Sequence, residues 1–171
     1  RRIAEKLQPL IREHDSIGLD ASSTVYCLAE AMSTVSPPLV VTYGVQTFQA
    51  LQNTSKGQII LSGGELDPRT GSLVGMIAQQ TIERFTLSCC ILSTTALNPD
   101  TGTMEPTIEE AGMKHALANA SDRVILAIDA TKLSQRSAVR SVDLSEIDVI
   151  VTELDTNDVR LDPYRELVEL R

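Results

Sequence analysis

Aromatic residues are scarce in this sequence, and tryptophan is absent. Aromatic residues make up 3% of the 171 residues, whereas hydrophobic residues make up 42%. The core must therefore be built from leucine, isoleucine, valine and alanine, a composition that suits layers of helix and sheet better than a small β-sandwich. A chain of this length is about the size of one domain and is long enough to bury one continuous core.

Cysteine and histidine are also rare, with three residues of the first and two of the second. Cys89 and Cys90 are adjacent in an apolar run, and consecutive side chains of a strand point to opposite faces. We interpret both as small buried hydrophobic residues of a reduced protein, not as part of a disulfide framework. His14 and His115 show no zinc-ligand spacing, so the sequence predicts no metal ion and no cofactor.

Basic surface and long apolar runs are missing as well. The formal net charge is −8 at pH 7, whereas a protein that grips nucleic acid neutralises phosphates with basic residues. We therefore do not expect these residues to bind DNA by themselves. No apolar run reaches membrane length and no signal peptide is recognisable, so we expect a cytoplasmic protein without a membrane partner.

Short apolar runs alternate with longer segments of helical periodicity. The predicted strands are 16–20, 39–43, 58–62, 87–93, 123–129 and 148–152. The predicted helices are 24–33, 45–53, 75–85 and 107–120, with an opening helix over 1–13 and a closing helix over 162–171. Several runs are apolar at nearly every position, which is typical of strands covered on both faces. The alternation predicts an α/β fold, namely a three-layer α/β/α, Rossmann-like domain with a mostly parallel sheet of about six strands.

Polar segments rich in small residues follow three of the predicted strands. "DASST" (20–24) follows the first, "GGELDPRTGSLVG" (63–75) the third, and "STTALNPDTGTMEPTIEE" (93–110) the fourth. We predict that the second and third segments are long loops, because glycine, proline and polar turn residues dominate them. Ligands of open α/β sheets bind beyond the carboxyl ends of the strands, so these segments are candidates for one binding site.

The glycine and hydroxyl residues of these segments allow two interpretations. Ser22, Ser23 and Thr24 offer hydroxyl and N–H groups at the start of a predicted helix, where an anion such as phosphate binds. Ordinary helix capping explains one such hydroxyl equally well. Gly63 and Gly64 permit positive φ and close approach to a ligand, but paired glycines also form plain tight turns.

Two charged pairs are further candidates. Glu109 and Glu110 lie in the first turn of a predicted helix, where they either favour the helix dipole or accept hydrogen bonds from sugar hydroxyls. We expect Lys114 to form an i,i+4 surface pair with Glu110. Asp129 and Lys132 follow a predicted strand and either bind a polar ligand or form a solvated ion pair. The residues alone leave these alternatives open.

Six segments, taken in this order, resemble the C-terminal effector-sensing domain of the DeoR family of bacterial transcriptional repressors. They are "IGLDASST", "VVTYG", "IILSGGELDPRTGSLVG", "LNPDTGTMEPTIEEAGMKHAL", "VILAIDATKL" and "LSEIDVIVT". The most specific part is the combination of "GGELDPRTGSLVG" with the later D-x-x-K. The resemblance implies a fold related to ribose-5-phosphate isomerase, glucosamine-6-phosphate deaminase and CoA transferases, and a role in sensing phosphorylated sugars or related metabolites.

The resemblance also implies a domain organisation. Residues 1–155 are the sensing domain, within which residues 1–13 form a helix that links it to a missing N-terminal helix-turn-helix module. Residues 156–171 are a C-terminal tail helix. DNA then binds only through the missing module, which agrees with the net charge of −8. A homo-oligomer is expected.

By motif, the resemblance assigns ligand-binding roles to several residues. The phosphate-binding loop corresponds to Asp20, Ala21, Ser22, Ser23 and Thr24. The remaining assignments are the strand-end residues Thr42 and Tyr43, the glycines Gly63 and Gly64, Glu109 or Glu110, and the pair Asp129 and Lys132. Capping and anion binding then use the same groups of residues 20–24. Two departures bear on ligand choice: Ala21 stands where the family has Gly, Ser or Thr, and bulky Tyr43 replaces a compact amide, which narrows the pocket or stacks on a sugar.

The resemblance favours a binding module over two alternatives. In the leading hypothesis a phosphorylated sugar or related metabolite binds the loops and modulates DNA binding, with no catalytic residue and no enzymatic activity. The first alternative is a sugar-phosphate isomerase or deaminase of the same fold, with Glu109, Glu110 or Asp129 as the base. The second is a purely structural oligomerisation domain, which predicts no stabilisation by any sugar phosphate.

Overall fold

Within residues 2–32 and 36–171, the part of the chain that the computed structural model describes, seven strands form one parallel sheet with helices on both faces. In chain order the strands are β1 (Ser16–Leu19), β2 (Leu39–Thr42), β3 (Gln58–Leu61), β4 (Glu65–Asp67), β5 (Ser72–Val74), β6 (Cys89–Leu92), β7 (Ala96–Asn98), β8 (Gly102–Glu105), β9 (Val124–Ala127), β10 (Val139–Arg140), β11 (Val149–Val151) and β12 (Glu169–Leu170). The helices are α1 (Arg2–Leu7), α2 (Ser23–Ala31), α3 (Val45–Thr54), α4 (Met76–Ile82), α5 (Ile108–Asn119) and α6 (Asp162–Arg165).

The central sheet has the strand order β12-β11-β9-β6-β1-β2-β3, and its neighbouring strands are parallel. From β1 the chain winds outward to β2 and β3, and it then returns to the other side of β1 for β6, β9, β11 and β12. The direction of winding therefore reverses between β1 and β6. In open parallel sheets such a reversal leaves a crevice at the carboxyl ends of the two strands.

Alternate residues of the strands enter two separate cores. Ile17, Cys89 and Ile91 pack with helices α1, α2 and α3 on one face. Cys90 and Leu92 pack with α4 and α5 on the other face. The interpretation of both cysteines as buried, unbridged residues on opposite faces of a strand is confirmed. The predicted three-layer α/β/α architecture is confirmed as well.

The six predicted strands and the four helices predicted between them are all present. The strands are shorter than predicted, whereas α2 begins one residue earlier and α3 ends one residue later than predicted. Residue 33, where the helix predicted over 24–33 ends, lies outside the described residues, as does residue 1 of the opening helix. The opening segment is α-helical only over Arg2–Leu7, and a 3-10 turn over Gln8–Leu10 follows. Pro9 lies in that turn and has no N–H group with which to continue the α-helical hydrogen bonding.

The two predicted loops are wrong in part, because each contains an antiparallel hairpin. Strands β4 and β5 pair within 63–75. Strands β7 and β8 pair within 93–110, and β10 extends them to a three-stranded sheet outside the central one. Strands of three or four residues set among glycine, proline and aspartate carry too little apolar alternation to be recognised against the turn signals.

The predicted closing helix over 162–171 is wrong beyond its first turn. Helix α6 ends at Arg165, and Glu169–Leu170 form β12, which pairs with β11 at the edge of the central sheet. Tyr164 is fully buried, and its hydroxyl donates a hydrogen bond to a backbone carbonyl of β7. The segment 156–171, expected as a tail helix, thus packs into the same sheet and core as the residues before it.

Helix α1 lies on α2. Ile3 and Leu7 of α1 pack with Val25 and Leu28 of α2, and the side-chain amide of Gln8 donates to a backbone carbonyl at the end of α2 over 2.8 Å. Helices α1 and α2 are therefore in direct contact. None of the helices in the described residues is both long and apolar enough to cross a membrane.

Candidate functional site

A cleft of about 260 Å³ lies where the winding of the sheet reverses. Asp20 follows β1 and Ser93 follows β6, and the N–H of Ser93 donates to Oδ2 of Asp20 over 2.7 Å. Oδ1 of Asp20 accepts the N–H of Ser22 over 2.9 Å and the hydroxyl of Ser22 over 2.5 Å. Asp20 is fully buried and does not line the cleft; it ties the two strand ends together beneath it.

Twelve of the described residues line this cleft, and nearly all of them are polar. They are Ala21, Ser22, Ser23, Thr70, Ser72, Ser93, Thr94, Thr95, Glu105, Glu110, Lys114 and Lys132. Small ligand sites of this kind use a few converging polar groups to fix the orientation of the ligand.

A larger groove of about 610 Å³ lies between α2 and α3, but its chemistry is different. Its lining within the described residues contains one ionisable pair, in which the hydroxyl of Tyr26 donates to Glu30 over 2.7 Å, and no cation. The smaller cleft is therefore the candidate site for an anion.

Helix α2 begins at the cleft. Ser22 is the N-cap, and its Oγ accepts the N–H of Val25 over 3.3 Å while donating to Asp20. Capping and anchoring thus occupy the Ser22 hydroxyl. The N–H groups of Ser23 and Thr24 lie in the first turn, where an α-helix has no intrahelical acceptor to offer. These N–H groups and the Ser23 hydroxyl are the donors available at the start of α2, a kind of position at which anions bind in other proteins.

Lys114 of α5 is the buried cation of the cleft. Its Nζ donates to Oδ2 of Asp20 over 2.9 Å and to the carbonyl of Ser93 over 2.8 Å, and it lies 3.9 Å from Oε1 of Glu105. Burial opposes the charged amine, but the neighbouring carboxylates outweigh burial and hold the pKa of Lys114 well above its usual value. Lys114 is therefore charged at neutral pH, and Asp20 already matches its charge.

Gly18 of β1 lets α5 approach closely enough for this contact. A Cβ atom built at Gly18 would lie only 2.6 Å from Cδ1 of Leu117, three residues after Lys114 on α5. A larger residue at this position of β1 would require the Leu117 side chain to move.

Two carboxylates, those of Glu105 and Glu110, also line the cleft. Oε1 of Glu105 accepts the hydroxyl of Thr94 over 2.7 Å, and Oε2 accepts that of Thr95 over 3.1 Å. Burial raises the pKa of Glu105, because the charge of Lys114 and the two hydroxyl hydrogen bonds offset it only in part. Glu110 of α5 accepts the hydroxyl of Thr70, in the β4–β5 hairpin, over 3.1 Å.

Two further residues complete the cleft. Lys132 lies at the rim with a quarter of its side chain exposed, and its Nζ is 3.4 Å from Oγ of Ser93 and 3.6 Å from Oδ2 of Asp129. Ser72 of β5 is 1% exposed, and its hydroxyl has no hydrogen-bond partner in the described part of the chain.

The cleft brings together some of the residues predicted from sequence and leaves out others. Those that line it are Ala21, Ser22, Ser23, Glu110 and Lys132. Asp20 lies beneath it, and Thr24 faces a small gap between α1 and α2. Glu109 is exposed, so between the two adjacent glutamates it is Glu110 that reaches the cleft. Asp129 caps the 3-10 turn that carries Lys132.

The assigned residues of the second and third strand ends do not line the cleft. Thr42 is fully buried, and its hydroxyl accepts the N–H of Gly44 over 3.1 Å. The ring of Tyr43 is fully buried in the core with α4 and α5, so it is not placed to stack on a sugar. Gly63 and Gly64 have φ of +73° and +111°, as the paired-glycine pattern allows, and they start the β4–β5 hairpin.

Several cleft residues are absent from the sequence-based assignment. They are Thr70, Ser72, Ser93, Thr94, Thr95, Glu105 and Lys114. The expected surface pair between Lys114 and Glu110 is wrong, because Lys114 is buried and bonds to Asp20, 94 residues earlier in the chain. Ser93, Thr94 and Thr95 could have been predicted, because "STT" lies at the end of the fourth predicted strand. Nothing in the sequence near Lys114 indicates that its partner is Asp20.

Comparison with known proteins identifies the domain type. The family model of the DeoR C-terminal sensor domain matches residues 1–154. The L-fucose operon activator of Haemophilus influenzae is 30% identical over 158 residues, which cover 92% of this chain and 63% of that protein. The HTH-type transcriptional regulator GlpR of Haloferax volcanii is 31% identical over 153 residues, which cover 90% of this chain and 60% of that protein.

The chain is shorter than these relatives. The glycerol-3-phosphate regulon repressor of Escherichia coli is 28% identical over 152 residues, which cover 89% of this chain and 60% of that protein. The chain therefore spans about three fifths of the length of the curated relatives that it matches.

Solved structures share the fold. The eIF2B beta structure from Chaetomium thermophilum superposes with a TM-score of 0.64 at 15% identity, over 97% of this chain and 52% of that one. Ribose 5 phosphate isomerase A from Neisseria gonorrhoeae gives 0.50 at 19% identity, over 77% of this chain and 51% of that one. Identities this low show a common architecture, whereas the family match covers most of the sequence. The chain belongs to the family of DeoR C-terminal sensor domains.

Proposed function

We propose that this chain is the effector-binding part of a transcription regulator and that its cleft binds a phosphorylated sugar or a related metabolite. The relatives named above are an operon activator, an HTH-type regulator and a repressor of a glycerol-3-phosphate regulon. The observation that carries the proposal is the mixed chemistry of the cleft. Its lining combines hydroxyl groups and Lys132 with the carboxylates of Glu105 and Glu110.

The hydrogen-bond donors at the start of α2, together with Lys132, suit a phosphate group. A hydrogen bond to a charged group contributes about 1.5–3 kcal/mol, whereas the helix dipole adds only about 0.3–1 kcal/mol. The N–H groups at the start of α2 and the Ser23 hydroxyl therefore supply most of the attraction, and Lys132 supplies a cation at the rim. The carboxylates of Glu105 and Glu110 suit the hydroxyl groups of a sugar, which are hydrogen-bond donors.

Regulation requires only that the ligand bind two conformations with different affinity. Helix α2 receives the anion at its first turn and carries α1 along its side, so a shift of α2 on binding reaches α1. We propose that α1 continues this path to a helix-turn-helix module outside these residues, through which the regulator contacts DNA. Assembly as a homo-oligomer remains a prediction.

Paired ligands test the proposal. We expect glycerol 3-phosphate, ribose 5-phosphate or glucosamine 6-phosphate to raise the melting temperature, and the matching unphosphorylated compound to have no comparable effect. A ligand at one hundred times its Kd stabilises a protein by about 2.7 kcal/mol. A thermal-shift titration measures this difference, and failure of every phosphorylated compound to stabilise the domain would contradict the proposal.

The related isomerase fold makes catalysis the competing function, and buried Glu105 and Glu110 are the carboxylates that an isomerase would use as a base. We propose that the domain has no such activity, because the curated relatives are regulators. The ligands recovered from the titration should be unchanged. Turnover of ribose 5-phosphate by the wild-type domain, lost in Glu105→Gln or Glu110→Gln, would show that the domain is an enzyme and would contradict the sensor proposal.

Lys132→Ala is expected to weaken binding of the phosphorylated ligand about tenfold, because it removes the cation at the rim. The unliganded domain should lose less than about 1 kcal/mol, since the ion pair with Asp129 is partly exposed. Isothermal titration and thermal melting measure the two effects on the same samples. A large loss of stability with unchanged affinity would show that Lys132 has a structural role.

A further inference from the structure

We propose that Ser72, Glu105 and Glu110 form a hydroxyl-selective wall that restricts the cleft to ligands with one anionic group and an uncharged, hydroxylated end. This inference rests on the proposed function and narrows its ligand class. Sugar and polyol monophosphates fit the description. Sugar bisphosphates and phosphorylated sugar acids, which carry a second anion, do not.

The unpartnered hydroxyl of Ser72 is the first observation. Ser72 is 1% exposed and lines the cleft, and its Oγ bonds to no group in residues 2–32 or 36–171. Buried polar side chains are almost always hydrogen-bonded, and one without a partner calls for an explanation. A ligand hydroxyl in the cleft supplies the missing partner. Helix capping and turn geometry do not involve this hydroxyl, since it is the backbone N–H of Ser72 that bonds to Thr70.

The fixed carboxylates are the second observation. Threonine hydroxyls hold both oxygens of Glu105, and the Thr70 hydroxyl holds Oε1 of Glu110. Each bond leaves further lone pairs on the carboxylate, because an ionised carboxylate accepts about four hydrogen bonds. The wall therefore presents acceptors in a set geometry, and a sugar hydroxyl is the donor that matches them.

The disposition of positive charge is the third observation. Lys114, the cation nearest to Glu105, is committed to Asp20 and to the carbonyl of Ser93. The other lysine of the cleft, Lys132, lies beside Ser93 and Asp129. A second anionic group placed against Glu105 and Glu110 thus meets like charge, which disfavours its binding.

Matched ligand pairs test the charge rule. The pairs are glycerol 3-phosphate with 3-phosphoglycerate, glucose 6-phosphate with 6-phosphogluconate, and fructose 6-phosphate with fructose 1,6-bisphosphate. Within each pair that binds, we expect the compound with the second anion to bind at least about tenfold more weakly in isothermal titration. Equal or tighter binding of the second compound would overturn the wall while leaving a phosphate site in place.

Ser72→Ala tests the hydroxyl contact, with Ser62→Ala as its control. Ser62 is also buried, but it lies at the end of β3 outside the cleft, and its hydroxyl donates to the carbonyl of Gly63 over 3.0 Å. We expect Ser72→Ala to weaken binding of the preferred monophosphate about tenfold without lowering the melting temperature, because it removes an unpartnered buried donor. Ser62→Ala should lower the melting temperature and leave affinity unchanged.

The outcomes separate the two proposals. If no phosphorylated compound of the panel binds, the proposed function fails and the wall fails with it. If monophosphates bind but Ser72→Ala leaves affinity unchanged, or lowers stability as Ser62→Ala does, the wall alone is overturned. Weaker binding by Ser72→Ala at an unchanged melting temperature supports the wall. A serine with a purely structural role would show unchanged affinity and a lower melting temperature.

Discussion

Replacement of Lys114 by methionine is expected to lower the free energy of unfolding by about 3–5 kcal/mol, because it leaves a buried carboxylate without its partner. Asp20 is fully buried and Lys114 is 4% exposed, so water compensates neither charge. A loss of this size is a large fraction of the total stability of a typical domain. Chemical denaturation at neutral pH measures it.

Two controls accompany this variant. Lys132→Met removes a cation from a partly exposed pair and should cost no more than about 1 kcal/mol. Lys114→Met combined with Asp20→Asn removes the uncompensated charge as well, so the double variant should lose less than the sum of the two single losses. A cost below about 1 kcal/mol for Lys114→Met alone would show that the buried ion pair does not stabilise the domain.

The raised pKa of Lys114 gives the effect a pH dependence of definite sign. A group whose pKa is higher in the folded than in the unfolded state stabilises the fold below its unfolded pKa. The contribution is lost only as pH rises through the folded pKa, which is far above neutrality for Lys114. The difference between wild type and Lys114→Met should therefore persist across neutral pH and shrink in strongly alkaline solution.

Ser23→Ala is expected to weaken binding of a phosphorylated ligand by about 10- to 150-fold, the loss of one hydrogen bond to a charged group. Its hydroxyl is exposed at the start of α2 and takes no part in capping. The unliganded domain should therefore keep its stability. Ser22→Ala should show the reverse balance, with about 1 kcal/mol lost from the cap and a smaller direct effect on the anion.

The matching control is Thr107→Ala, which removes a cap of the same 3.3 Å geometry from α5. It should lose stability as Ser22→Ala does while keeping the preference for the phosphorylated over the unphosphorylated ligand. The double variant Ser22→Ala/Ser23→Ala should combine both losses, and its preference for the phosphorylated ligand should fall, unlike that of Thr107→Ala. Equal weakening for both ligands would contradict an anion site at the start of α2.

The central sheet could be predicted because its determinants are local. Runs such as "LVVTY" and "RVILAID" are apolar without alternation, and such runs occur where both faces are covered. The hairpins β4–β5 and β7–β8 could not be predicted, because turn residues make up most of their length and their strands contain no continuous apolar run. The edge strand β12 is formed by pairing with β11, and the helix-forming residues before it do not indicate a strand.

In the candidate site too, features with a local sequence signal could be predicted, and features that depend on tertiary packing could not. The start of α2 carries its own signal in "DASST", where a cap and a set of hydroxyls coincide. Lys114 had an acceptable local partner in Glu110 at helical spacing, and the true partner, Asp20, is brought near only by the packing of α5 against β1. Tyr43 is the converse case, because its strand-end position suggested contact with the ligand, whereas the structure buries its ring in the core.

The β4–β5 hairpin has a consequence for engineering. It is a two-stranded unit outside the central sheet, with Glu65, Leu66, Arg69 and Thr70 exposed, yet it contributes Thr70 and Ser72 to the cleft. Sequence changes in its turn leave the two apolar cores untouched. Under the proposed function, ligand preference can therefore be altered by directed selection at small thermodynamic cost, which makes this segment the first place to randomise when the domain is adapted as a metabolite biosensor.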